Sequence, residues 1–227
     1  TITHIMQPPP LLLAGTWRDD DGDGYRPYPA AGWWVSEKLD GVRAYWDGSG
    51  RLLSRSGRPF PAPAWFVDAL PGGVALDGEL WAGRGRFERV LSVTTADAGD
   101  WRALRYCVFD APASPGGFEQ RTRAAARALR GAPKHVVVAV PTVPGPTDAA
   151  GLRGMLRVAV ERHGCEGLML RRPGSAYGPG GRDAGTLLKA KPLREAEGRV
   201  VSADVRGGRL RALVVRADDG GATFRLG

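Results

Sequence analysis

The 227 residues, 43% of them hydrophobic and 25% charged, suffice to bury a core, and the length suits one medium domain with a smaller attachment. Cys107 and Cys165 are the only cysteines and sit in no CxxC or Cys/His cluster, which excludes a disulfide framework and a zinc site and leaves buried free thiols; no apolar run approaches the roughly 20 residues of a membrane span, and residues 11–14 are too short for a signal-peptide core. The formal charge of +8 points to a polyanionic partner, nucleic acid first, although arginine-rich coding accounts for part of the excess.

Lysine usage is more telling than charge. Of 32 basic residues only four are lysines, Lys38, Lys134, Lys189 and Lys191. Arginine stays protonated under ordinary conditions, whereas a lysine amine can lose its proton and attack an electrophile, so the few lysines retained point to a nucleophile.

In chain order, residues 8–10 (three prolines) and the polar run 19–25 read as irregular chain. From Trp33 to Trp46 apolar and polar residues alternate, with Val42, Ala44 and Trp46 on one face and Arg43, Tyr45 and Asp47 on the other, which predicts a strand pair around Lys38. Further strands are predicted at 51–54, 74–81, 104–109, 135–140, 167–171 and 186–190. Helices are predicted at 64–70, 118–130 and 149–162, the last opened by Asp148 as N-cap and closed by Gly164. The fold class is therefore α+β. After Lys191-Pro192 the character changes to basic, β-rich segments over 198–226, broken at Gly207-Gly208 and Asp219-Gly220-Gly221, so a domain of residues 1–192 precedes a small β domain of 193–227. Some 30 residues make up only part of a five-stranded OB barrel.

The chemistry concentrates in an ordered series. Ser36-Glu37-Lys38-Leu39-Asp40-Gly41-Val42-Arg43 comes first, then Ser54-Arg55-Ser56-Gly57, Leu76-Asp77-Gly78-Glu79-Leu80, Val108-Phe109-Asp110, Glu166-Gly167-Leu168-Met169-Leu170-Arg171 and Leu187-Leu188-Lys189-Ala190-Lys191. Taken singly, KxDGxR also fits an exposed strand end, Phe109 a core side chain, and Glu166 or any one of 28 arginines a solvated charge. Together and in this order they do not arise by chance.

The series resembles the covalent nucleotidyltransferase superfamily of DNA ligases, RNA ligases and capping enzymes, and is most similar to the minimal bacterial ATP-dependent DNA ligases of the type E group. The likeness covers nearly the whole chain through SEKLDGVRAYWDG, LDGELWAGRGRF, EGLML, YGPGGR and LLKAKP. It implies an adenylation domain with antiparallel sheets and flanking helices, followed by a partial OB fold. It implies that Lys38 attacks the α-phosphorus of ATP to form lysyl-AMP, with Glu37, Arg43, Glu79, Phe109, Lys189 and Lys191 at the nucleotide. Within that set Glu79 would hydrogen-bond the ribose and Phe109 stack on adenine, while the cationic lysines would favour a neutral Lys38 amine and offset phosphate charge. Glu166 would help hold Mg2+ or Mn2+. Arg55 and Arg182 would contact phosphates of nicked double-stranded DNA; Asp183 follows where a small hydroxyl residue is usual. The resemblance further implies a monomer with no membrane partner and a periplasmic location, with the cytoplasm as alternative, and a terminal basic motif that this stretch of sequence does not contain.

The rivals are an RNA ligase or capping-type nucleotidyltransferase and a noncatalytic nick-binding protein. Asp19-Asp20-Asp21-Gly22-Asp23-Gly24 resembles the start of a calcium loop, but Ala30 stands where the closing glutamate belongs. His4, His135 and His163 share no metal spacing.

Overall fold

A computed structural model describes residues 7–17, 32–96, 98–178, 182–192, 198–217 and 223–226, with the backbone alone for 182–184. The acidic run 19–24 and His4 lie outside these residues. The chain divides into two compact units, residues 1–192 and 193–227.

The first unit is built on two five-stranded sheets. Sheet one contains β1 (Leu13–Thr16), β2 (Trp34–Glu37), β8 (Val143–Pro144), β9 (Leu168–Arg171) and β10 (Arg182–Ala190), in the order β1-β10-β9-β2-β8. Sheet two contains β3 (Val42–Trp46), β4 (Leu52–Ser54), β5 (Leu76–Trp81), β6 (Arg105–Asp110) and β7 (Val137–Ala139), in the order β4-β3-β5-β6-β7. Pairing is antiparallel except between β1 and β10 and between β6 and β7. Four helices accompany them: α1 (Ala64–Val67), α2 (Phe87–Thr95), α3 (Phe118–Ala128) and α4 (Ala149–Glu161). The architecture is the mixed α+β class expected.

Each sheet buries one face. Behind sheet two, Ala44, Trp46, Leu76, Leu80, Tyr106 and Val108 pack with Phe66 of α1, Val90 and Val93 of α2 and Ala125 of α3. Behind sheet one, Val35, Leu168, Leu170, Leu188 and Ala190 pack on Leu152 and Leu156 of α4, with Trp17 and Trp33 alongside. The alternation of β3 has the predicted sense, since Ala44 and Trp46 enter the core while Arg43 and Tyr45 do not. Both cysteines are free and buried. Burial pushes the Cys107 thiol up to about 12, and burial together with the neighbouring Glu37 carboxylate raises that of Cys165.

One expectation is corrected. The strands flanking Lys38 do not pair with each other: β2 bonds to β9 and β8, β3 to β4 and β5, so the chain crosses from one sheet to the other between Glu37 and Val42. Alternating polarity reports that a segment is extended and half-buried, not which sheet receives it. β1 falls between the two runs read as irregular, 8–10 and 19–25, where no strand was predicted, and α2 falls in a stretch for which no helix was predicted. The Asp148 cap is present, its Oδ1 accepting from Gly151 N at 2.7 Å.

Glycines of three motifs are required by close approach. A Cβ on Gly41 would lie 2.2 Å from the Leu80 carbonyl oxygen, one on Gly78 2.6 Å from the Tyr106 ring, and one on Gly167 2.3 Å from the Ala190 oxygen. None of the three has positive φ. The Tyr106 ring that fills the space over Gly78 donates its hydroxyl within reach of Leu76 O (2.9 Å) and Ala44 O (3.1 Å).

The second unit is an antiparallel sheet, β11 (Gly198–Arg206), β12 (Arg209–Ala217) and β13 (Thr223–Leu226), in that order. Gly207 and Gly208, both at positive φ, form its first turn, a two-residue connection that only glycine-like residues adopt without strain. Ala212 and Val215 are buried, while Val200, Val205, Leu210, Phe224 and Leu226 are exposed.

Gly41→Ala should lower unfolding stability by about 1–3 kcal/mol, because the Leu80 backbone cannot yield as a side chain would. Gly154→Ala, in α4 with nothing near its would-be Cβ, should raise stability by roughly 0.4–1 kcal/mol. Paired denaturant titrations check both signs.

Candidate active site

The faces of the two sheets not committed to the cores look onto one cleft of about 660 Å³. On sheet one the register sets side chains in rows: Ser36, Met169 and Lys189 lie side by side across β2, β9 and β10, and Trp34, Arg171 and Leu187 form the next row. All six line the cleft. The wall from sheet two supplies Arg43, Glu79 and Phe109. Phe87 of α2, Phe118 of α3 and the β4 turn residues Ser54, Arg55 and Ser56 also line the cleft, as do Glu37 and Lys38.

Lys38 stands where the chain leaves sheet one. Its backbone N–H still bonds to Gly167 O (2.9 Å), extending the ladder one step past β2. Its Nζ is ion-paired with Glu166 Oε2, and Lys191 Nζ takes the other oxygen, Oε1. Burial alone would raise the Glu166 carboxyl, but hydrogen bonds from Lys191 and Lys38 hold it below the usual carboxylate range.

Three further charge groupings frame the cleft. Glu37 is gripped by both arms of Arg84, at 2.7 and 2.8 Å, which joins the end of β2 to the turn after β5. Arg43 forks onto both oxygens of fully buried Asp77 at 2.6 Å, donates to Leu12 O at 3.1 Å, and lies over the Phe109 ring at 4.8 Å. Tyr177 donates its hydroxyl to Asp77 at 2.6 Å and accepts from Leu12 N at 3.1 Å. Deeper, Asp110 is held by Arg121 at 2.7 and 3.2 Å and by Arg171 at 3.2 Å, all three buried. Burial of such pairs is stabilising only when the remaining donors are satisfied, and Arg121 achieves this through Gly116 O and Ser175 O.

Glu79 differs from these. Burial raises its carboxyl to about 7, against the opposing pull of Arg43 and Lys38.

The structure thus brings Glu37, Lys38, Arg43, Arg55, Glu79, Phe109 and Lys189 to one cleft, with Glu166 and Lys191 joined to Lys38. The Glu37 side chain is committed to Arg84. Arg182 begins β10 opposite Leu13, and its side chain lies outside the described residues. Sequence reasoning assigned no part to Asp77, Asp110, Arg84, Tyr177 or Arg171. All five stand within quoted motifs, Arg84 in LDGELWAGRGRF, Arg171 at the end of EGLMLR and Tyr177 in YGPGGR, and for Asp77 and Asp110 an acid close to an assigned residue was the available signal.

No family-wide sequence profile matches the chain. A DNA ligase of Haemophilus influenzae (strain ATCC 51907 / DSM 11121 / KW20 / Rd) is 34% identical over 179 residues, which are 78% of this chain and 65% of that protein. The chain therefore spans just under two thirds of the length of that curated relative. A solved structure from work on DNA binding with a minimal scaffold by Lig E DNA ligases matches at TM-score 0.77 and 31% identity, over 95% of this chain and 83% of the other. A Chlorella virus DNA ligase-adenylate matches in fold at TM-score 0.62 and 21% identity, over 98% of this chain and 84% of the other. The chain belongs to the DNA ligase family. Within that family it is similar to the minimal Lig E ligases over nearly its whole length.

A carboxyl whose folded value of about 7 exceeds its ordinary 4.5 binds its proton more tightly in the folded state, so its contribution to stability is lost as pH rises through that interval. Glu79→Gln should leave stability unchanged at pH 4 and raise it by about 1–3 kcal/mol at pH 8. Urea unfolding at the two values checks this.

Proposed function

We propose that this chain is the catalytic part of an ATP-dependent DNA ligase that seals 5′-phosphate/3′-hydroxyl nicks in duplex DNA through lysyl-AMP on Lys38. The observation that carries the reading is the single short-range cluster of Lys38, Glu166 and Lys191 at one end of a cleft that also presents Glu79, Phe109 and Arg43. Residues 1–192 act as the adenylation domain, and 193–227 as part of an OB-type domain.

Lys38 Nζ attacks the α-phosphorus of ATP; the N–P bond forms, the bond from the α-phosphorus to its bridging oxygen breaks, and pyrophosphate leaves. The amine must first lose a proton and exchange its contact with Glu166 for the phosphorus. Lys189 on the cleft wall and Lys191 beside Glu166 offset phosphate charge. Glu79 is placed to hydrogen-bond the ribose. Phe109, covered on one face by Arg43, offers its other face to adenine. AMP then passes to the 5′-phosphate of the nick, and the 3′-hydroxyl attacks that phosphate with release of AMP. Arg55, exposed at the cleft rim, and Arg182 contact the DNA phosphates, Arg43 the nucleotide.

Glu166 is the side chain that would hold a divalent metal, magnesium or manganese. A single carboxylate suits magnesium, whose shell is commonly completed by substrate phosphates and water, and among the described residues no cage of three or more His, Cys, Asp or Glu side chains exists. Such an ion supplies charge neutralisation on the phosphate oxygens. Nicked duplex DNA is the macromolecular partner and the protein acts as a monomer. Among the described residues no helix is long and apolar enough to cross a membrane. The family likeness favours the periplasm over the cytoplasm.

Incubation with α-labelled ATP and a magnesium salt, followed by denaturing electrophoresis, should leave label on the wild type and none on Lys38→Ala. Label from GTP instead, or sealing of RNA ends only, would replace the reading with a capping-type or RNA-ligase activity. Retained binding to nicked duplex with neither label nor sealing would leave a noncatalytic binder.

A further inference from the structure

Arg171 carries a polar group for which the described residues provide no partner. Its side chain is 5% exposed, Nη2 pairs with Asp110 at 3.2 Å, and the guanidinium lies over the Phe118 ring at 5.0 Å. The remaining arm, Nη1, is buried without a hydrogen-bond partner among the described residues. Asp110 does not lack cations, since Arg121 already reaches both of its oxygens. Burial and the nearby Arg121 together lower the Arg171 pKa despite Asp110, the signature of a guanidinium incompletely compensated by its surroundings. Leaving such a donor unsatisfied is costly, more so when it is charged, so an orphan of this kind calls for a partner that arrives from outside.

The register shows where that partner would sit. Arg171 shares its face of β9 with Met169, whereas Leu168 and Leu170 turn into the core, and it lines the cleft between Trp34 of β2 and Leu187 of β10. Trp34 precedes Lys38 by four residues of extended chain, roughly 13 Å at about 3.3 Å per residue. Arg171 is therefore remote from the end where phosphate reacts. Its surroundings there, Trp34, Met169, Phe118 and Leu187, are largely apolar and match a flat heterocycle better than a phosphate. Guanidinium donates and never accepts, so the atom it recognises is an acceptor.

We propose that Arg171 is a specificity-determining residue that donates one hydrogen bond from Nη1 to a ring nitrogen of the adenine base. This rests on ATP as the nucleotide bound in the cleft. A buried donor of this type discriminates strongly against analogues that lack its acceptor, because binding them leaves the donor unpaired.

The test is equilibrium binding by calorimetry in a Lys38→Ala background, which cannot form lysyl-AMP, using ATP and its 1-deaza, 3-deaza and 7-deaza analogues. One analogue should bind about 10-fold to 100-fold more weakly than ATP, the range for a charge-assisted hydrogen bond. Adding Arg171→Met should abolish that difference by weakening ATP to the level of the analogue. Arg171→Lys, which keeps a donor, should restore part of it. Each discrimination ratio is taken within one protein, so a general loss of stability does not mimic the effect. Were all three analogues to bind like ATP, or were the discrimination to persist undiminished in Arg171→Met, the proposal would be overturned. Should Arg171→Met not fold, a discrimination ratio in Arg171→Lys equal to that of the Arg171 protein would overturn it and a changed ratio would support it. The labelling of Lys38 is decided separately, so failure of base reading and failure of the ligase assignment are distinguishable.

Discussion

The contact between Gly41 and the Leu80 carbonyl is the constraint on which the site depends. Lys38 reaches the end of sheet one by a backbone bond to Gly167, and four residues later the chain is already β3 of sheet two. That short crossing is possible only because residue 41 carries no Cβ, which would stand 2.2 Å from the Leu80 oxygen. The same closeness keeps Glu79, the residue before Leu80, on the cleft wall, so one steric condition bears on the spacing of the cleft beside Lys38. Gly78, against the Tyr106 ring, and Gly167, against the Ala190 carbonyl, are likewise held to glycine by close approach, between β5 and β6 and at the start of β9 beside β10.

Around this crossing the charges are arranged by depth. At the bottom, Asp77 and Asp110 are fully buried and each is gripped by arginine, which makes them structural anchors for Arg43 and Arg171. Nearer the opening, Glu166 is shared between two lysines and Glu37 is held by an arginine more exposed than itself. The deep pairs fix geometry, while the shallower ones use long side chains that can exchange partners when an anion enters. Glu37 and Glu166 are held below the usual carboxylate range by their basic partners, whereas Glu79 is raised, because burial outweighs the cations near it.

The fold class and most strands were readable because alternating polarity and turn residues are local signals. Sheet membership was not, since β2 and β3 look like a hairpin until β9 and β5 claim them from 131–137 and 30–38 residues away, separations no local pattern encodes. Helix α2 was missed for a related reason: its first position follows Arg86, which makes no capping bond, and it ends in Thr94-Thr95, both poor helix formers whose hydroxyls turn back to Val90 and Leu91 carbonyls. The cleft residues were reached through family likeness rather than through pattern, as a lone Phe109 or Glu166 has an ordinary explanation. What likeness did not supply was the buried partner of each assigned residue, because an aspartate in sequence carries no mark of its depth.

Cys165 adjoins Glu166 and lies against the Glu37 carboxylate, and Cys107 lies on β6, the strand that carries Phe109, paired with Glu79 of β5. Oxidation and thiol exchange proceed through the thiolate, and in both places burial favours the protonated thiol. The form of each sulfur that oxidants and disulfides attack is therefore disfavoured in the folded protein.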